Sequence, residues 1–183
     1  GRSYVQTSNS RQAIAAFKEL LDKYPESQVS RKAAAEIGLL YYQNDEYDRA
    51  IDAYKHVVTQ YPGSEEARLA MRDLKSISVD ANRVDEFAAL AAKMPGEIRF
   101  DASEQDSLTY IAAEKVYMKR EIAPAKSSFT RYLQSFPNGA FSLNAHYYLC
   151  VIGKEQKDEA AVLEHAGKLL EYPDNPYSQE ALI

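Results

Sequence analysis

The chain matches itself at a shift of 37 residues, and that self-similarity excludes most folds. At this shift Gly1 falls on Gly38, Tyr4 on Tyr41, Gln6 on Gln43, Ala13 on Ala50 and Ile14 on Ile51. Phe17 falls on Tyr54, Lys18 on Lys55, Tyr24 on Tyr61, Pro25 on Pro62 and Ser27 on Ser64. A period this short cannot close a core of its own, so each unit must bury its apolar face against the next. The stretch from Ala33 to Pro62 shows what the unit is. Ala34, Ile37, Gly38 and Tyr41 share one face of a helix, and Ala50, Tyr54 and Val57 share a face of a second. Small residues at Gly38 and Ala50 let the two helices approach while the rings of Tyr41 and Tyr54 fill the space beside the contact. Pro62 stops the second helix. The unit is a helical hairpin, and the fold class is all-α.

The same punctuation divides the chain into a partial repeat over 1–27, a repeat over 28–62 and a degenerate repeat over 63–95. A longer connection over 96–104 is followed by repeats over 105–137 and 138–173 and the start of a truncated repeat over 174–183. The first helix is expected from about Arg11 to Lys23 with Ser10 as its N-cap, and the second from Ser27 or Gln28 to Gln43. Asn44-Asp45 makes the turn into a third helix, from about Glu46 to Gln60. Ser64 caps a fourth, expected to reach about Ser76, where Lys75 and Ser78 replace the small residue and the aromatic. A short helix over Val84 to Lys93 follows. Ser103 with Asp106 three residues on has the spacing of a capping box, opening a helix to about Lys119. Pro124 belongs in the first turn of the next helix, which ends at Phe136-Pro137. The last pair is expected over about Ala140 to Gly153 and Asp158 to Glu171, with Cys150 in the small-residue slot. Both ends of the chain fall inside the pattern, so it is expected to be part of a longer array.

A net charge of -5 and a pI near 5.3 disfavour a phosphate backbone, so no nucleic-acid partner is expected. The uncharged stretch from Tyr132 to Gly153 contains Pro137, Asn138, Asn144 and His146, which suit a buried solenoid segment rather than membrane insertion. The one cysteine, Cys150, closes no internal disulfide and leaves the compartment open.

Nothing points to catalysis or to a cofactor. The acidic pairs Asp45/Glu46, Glu65/Glu66, Glu104/Asp106 and Asp158/Glu159 each fall at a predicted helix start, where carboxylates favour the positive end of the dipole. The chain has no glycine-rich phosphate loop and no GxSxG. His56, His146 and His165 lie on three different helices without metal-ligand spacing. His146 and His165 fall in one repeat and can face each other, where a packed, hydrogen-bonded pair is expected before a two-ligand metal site. Cys150, four residues after His146, is expected to be an inert packing thiol.

The alternation of small, large, small, large and closing proline resembles the tetratricopeptide repeat. That resemblance implies a right-handed α-α superhelix whose first helices line a concave face, acting as a non-catalytic scaffold that binds a peptide or protein. Carried over to this chain, the groove positions are Lys32, Ala35, Leu39 and Tyr42, then Leu69, Arg72, Ser76 and Val79. The later pairs supply Ser107, Tyr110, Glu114 and Tyr117, then Asn144, Tyr147 and Val151. Tyr42, Arg72, Tyr110, Glu114, Tyr117, Asn144 and Tyr147 are the candidate partner-binding residues, because Tyr and Arg combine contact area with a polar handle. The Lys and Asn that clamp a C-terminal carboxylate in some members are absent: Ala35, Leu39, Arg72, Ser76, Tyr110, Glu114, Tyr147 and Val151 stand there. The closing Tyr-Pro-x-Ser element, at Tyr24 to Ser27 and Tyr61 to Ser64, resembles repeats of bacterial envelope proteins, including long Bacteroidetes arrays, and implies a periplasmic or envelope setting. A regulatory or substrate-recruiting segment of a larger enzyme and a self-assembly module are the alternatives.

Overall fold

The computed structural model describes residues 2–25, 27–94, 96, 98–172 and 175–177, with residues 2–8 described for their backbone alone. Among the described residues there are nine α-helices and no strand: α1 (Arg2–Lys23), α2 (Gln28–Gln43), α3 (Tyr47–Gln60), α4 (Glu65–Asp80) and α5 (Val84–Lys93), then α6 (Ala102–Met118), α7 (Ile122–Ser135), α8 (Ser142–Gln156) and α9 (Glu159–Leu170). The all-α class follows. None of the described helices is long and apolar enough to cross a membrane.

Each hairpin reverses on one residue in the left-handed region: Asp45, Asn82, Arg120 and Lys157, with φ of 59, 57, 63 and 57°. They recur at intervals of 37, 38 and 37 residues, so the repeat seen in the sequence is also a backbone repeat. Asp and Asn adopt this conformation readily because their short side chains bond locally, whereas Arg and Lys have no such compensation. The counterpart of Asp45 in the partial repeat is Ser8, with Thr7-Ser8 in place of Asn44-Asp45. There the chain does not turn. Helix α1 starts at Arg2 rather than Arg11, and Ser10 is a buried residue inside it, not an N-cap.

The Tyr-Pro-x-Ser element works as a stop followed by a start. Ser27 Oγ accepts the Ser30 amide and Ser64 Oγ the Ala67 amide, both at 3.0 Å, capping α2 and α4. Several boundaries differ from expectation, among them α8, which runs Ser142–Gln156 and not Ala140 to Gly153. Helix α4 continues past Ser76 to Asp80, since buried Ile77 and Val79 extend its apolar face. Helix α6 is capped by Asp101, whose carboxylate accepts the Glu104 amide at 2.9 Å, and not by Ser103.

The chain divides into two compact units. The first comprises Gly1–Ala81 and Glu86–Arg99, in which α1 packs on α2, α2 on α3 and α3 on α4. Its tightest point is Gly38, where a Cβ would lie 2.8 Å from two ring carbons of Tyr54. Tyr54 is 1% exposed, and its hydroxyl donates to Asp73 on α4 at 2.9 Å, so one ring seals its own hairpin and ties it to the next helix. The Tyr61 hydroxyl donates to the Pro25 carbonyl at 3.3 Å, linking successive closing elements.

The second unit comprises Asn82–Asp85 and Phe100–Ile183, with α6 on α7, α7 on α8 and α8 on α9. Its apolar core gathers Tyr110, Val116, Phe129, Tyr132, Leu149 and Ile152. Asn82 belongs here because its amide donates to Ser128 Oγ at 2.6 Å while its Oδ1 accepts from Arg131 at 3.0 Å. Asp106 is not the partner of a capping Ser103. It is 9% exposed and accepts the Tyr132 hydroxyl at 2.5 Å and the Ala140 amide at 2.8 Å, while Tyr132 Oη accepts the Phe141 amide at 3.0 Å. These bonds tie α6, α7 and the entry to α8 through one buried carboxylate. They leave no room for a side chain at Gly139, where a Cβ would stand 2.6 Å from the Tyr132 hydroxyl.

Candidate partner-binding face

In the second unit α6 and α8 are the first helices of successive pairs, and tyrosines on them meet in a row over the core, with Tyr148 stacked on Phe129 at 4.8 Å. Tyr117 on α6 and Tyr148 on α8 have ring centroids 4.9 Å apart, Tyr148 and Tyr147 5.9 Å, and Tyr147 and Tyr177 4.5 Å with the planes 20° from parallel. All four rings are partly exposed. Asn144 fixes the far end, its amide donating to the Tyr177 hydroxyl at 2.7 Å. Glu114 fixes the middle: its Oε1 accepts the hydroxyls of Tyr148 at 2.9 Å and Tyr110 at 3.0 Å. Burial, and then the bond to this carboxylate, pushes Tyr148 up to about 12. Its hydroxyl is therefore a donor at any physiological pH. A row of tyrosine rings around a carboxylate offers flat apolar area, hydroxyl groups and one negative charge, a composition suited to binding.

Tyr110 belongs to the core instead of this face. It is 5% exposed, its ring lies parallel to Phe141 at 4.5 Å, and Phe129 and Tyr132 pack around it. Only its hydroxyl reaches outward, to Glu114. The structure thus brings Glu114, Tyr117, Asn144 and Tyr147 together, and it adds Tyr148 and Tyr177. Aligning Cys150 with Gly38 puts Tyr148 on Glu36, a solvent-facing residue, and Tyr177 lies beyond the last helix, so periodicity held no cue for either.

The remaining two candidates lie in the first unit. Tyr42 on α2 donates its hydroxyl to Asp80 on α4 at 2.5 Å, and burial together with that carboxylate raises its pKa. Arg72 is exposed on α4. A separate cleft of about 540 Å³ opens between α1 and the α2–α3 hairpin, lined by Leu21, Ile37, Tyr41, Arg49 and His56 among others. Among the described residues no group of three or more His, Cys, Asp or Glu is placed to hold a metal ion. Cys150 is buried at 3% exposure, in its small-residue slot.

Residues 1–65 match the family model described as a tetratricopeptide repeat. No curated protein sequence matches the chain. Among solved structures the chain is similar to PilF of Pseudomonas aeruginosa, at 18% identity and a TM-score of 0.37, over 97% of this chain and 90% of that one. It is also similar to a double mutant of MamA (RS-1 ArsTM), at 12% identity and a TM-score of 0.36, over 93% and 94% of the two chains. The tetratricopeptide-repeat match covers the first 65 residues, and the same turn geometry recurs at Asn82, Arg120 and Lys157 beyond them, so helical hairpins of one kind continue past the matched segment.

Proposed function

We propose that the face formed by α6 and α8 binds a peptide or protein segment that carries an apolar and a cationic side chain. The observation that carries this is the continuous row Tyr117, Tyr148, Tyr147 and Tyr177 with Glu114 set into it. Ring faces attract a cation and bury apolar area, and Glu114 supplies the charge complement in a chain of net charge -5. Within the first unit, Tyr42 on α2 and Arg72 on α4 are candidate partner contacts of their own. The test is a peptide library screened against wild type and against Tyr117→Ala/Tyr147→Ala, with unfolding measured in parallel. Removing two such rings should weaken the selected peptides by about thirtyfold or more, the scale of an interface hot spot near 2 kcal/mol, while the thermal midpoint changes little. Unchanged affinity, or a loss of stability matching the loss of binding, would return both rings to the fold.

A second possibility, self-assembly, is favoured by one observation. Leu163 and Leu170 on α9 are 75% and 43% exposed and lie two helical turns apart on one face. If that stripe pairs with another copy, Leu163→Glu abolishes a concentration-dependent mass in sedimentation. A wild-type chain that stays monomeric at every concentration tested would dismiss the idea.

A further inference from the structure

The last hairpin sets two imidazoles against each other. His146 Nδ1 on α8 and His165 Nδ1 on α9 are 3.0 Å apart, with ring centroids at 5.2 Å and the planes at 44°. As a hydrogen bond, the contact joins one N–H to one lone pair. The same spacing suits another arrangement. An ion held at about 2.0–2.1 Å from each nitrogen, with an N–metal–N angle between about 90 and 109°, needs donors about 2.9–3.4 Å apart.

A neutral imidazole nitrogen is the form that ligates metals, and the two Nδ1 atoms face each other across the hairpin. His146, though not His165, also lines an open cavity of about 300 Å³ with Ser142, Lys168, Glu171 and Tyr172. The charged groups acting on the pair are Glu164, Glu171, Lys168, Lys126 and Asp158. The two lysines are engaged, Lys168 with Glu171 at 2.8 Å and Lys126 with Asp158 at 3.0 Å.

We propose that His146 and His165 form a two-imidazole site for a divalent transition-metal ion of the Zn²⁺, Ni²⁺ and Cu²⁺ class, clamping α8 to α9 with water in the remaining positions. In the hydrogen-bonded pair one Nδ1 carries the shared proton. Binding moves that proton to Nε2 of the same ring, so both Nδ1 lone pairs face the ion and no net proton is released at neutral pH. Neutral imidazole selects this class over Mg²⁺ and Ca²⁺, which take oxygen ligands, and ranks Cu²⁺ above Zn²⁺. The site shares no residue with the tyrosine face, so the two proposals stand or fall separately.

The test uses untagged, metal-free chain. Zn²⁺ should raise the thermal midpoint, Cu²⁺ should raise it further and Mg²⁺ should leave it unchanged, because an ion that binds only the folded state stabilises it. His146→Gln and His165→Gln should each abolish the Zn²⁺ effect. Long-range ¹H–¹⁵N spectra of wild type should show both rings in the Nε2–H form once Zn²⁺ is added, a readout that holds even if a variant folds poorly. No Zn²⁺ effect up to millimolar concentration, an undiminished effect in both variants, or His146 and His165 signals that do not move would each overturn the site.

Discussion

Gly38→Ala is the sharpest test of the hairpin packing, because the same substitution has opposite signs at two positions in this chain. In a helix interior Ala is favoured over Gly by about 0.8–1.0 kcal/mol. At Gly167 on α9 nothing lies within 4 Å of the position a Cβ would take, so Gly167→Ala should stabilise by about that amount. At Gly38 the new methyl would stand 2.8–2.9 Å from three ring atoms of Tyr54. That ring is 1% exposed and bonded to Asp73, so it cannot swing away, and the hairpin must open by several tenths of an ångström. Overpacking of this kind costs about 1–3 kcal/mol, which exceeds the helix gain and leaves a net loss of up to about 2 kcal/mol. The assay is urea unfolding followed by far-UV circular dichroism, with the midpoints compared at constant slope. Adding Tyr54→Leu to Gly38→Ala should recover part of the loss, a coupling of at least about 0.5 kcal/mol in a double-mutant cycle. If Gly38→Ala stabilises as much as Gly167→Ala, the close approach of α2 and α3 is refuted. Gly38→Leu should cost more than Gly38→Ala.

Four further outcomes follow from the structure. Tyr132→Phe leaves the buried Asp106 carboxylate with the Ala140 amide and strips the Phe141 amide of its acceptor, so it should cost about 1–3 kcal/mol by denaturant titration. Tyr110→Ala should cost about 3–5 kcal/mol, as a large core truncation does, and a loss below about 1 kcal/mol would put that ring back on the binding face. Lys157→Gly relieves a left-handed lysine and should stabilise by up to about 1 kcal/mol; a destabilised variant would contradict the turn conformation. Because the folded-state pKa of His146 lies below its ordinary 6.5, at about 4, the unfolded chain binds more protons between those values. Stability should therefore fall as pH drops from about 6.5 towards 4, and His146→Gln should flatten that slope; an unchanged slope would show that the pair is not a determinant.

The helical hairpin and most of its boundaries were legible in the residues because they depend on local rules. Proline after Tyr24 or Tyr61, serine two residues later and small residues opposite rings act within a few turns of chain. The site was legible only in part. Glu114, Tyr117, Asn144 and Tyr147 are neighbours as their helix positions imply, but Tyr110 sits one layer lower than expected and Tyr177 arrives from outside the pattern. Ser103 with Asp106 had the spacing of a cap, yet Asp106 serves Tyr132 and Ala140, whose distance along the chain no local rule covers.

Sequence alone determined the repeat period, the all-α class and the small and large residues that seal each hairpin, since 3.6-residue periodicity settles which face of a helix meets its own partner. Tertiary structure decided which tyrosines are core and which form a surface, where α1 begins, and that His146 and His165 meet at their Nδ1 atoms. The physical reason is that contacts between successive pairs depend on the small rotation from one hairpin to the next. That rotation is the sum of many side-chain fits between residues dozens of positions apart, and periodicity carries no information about it.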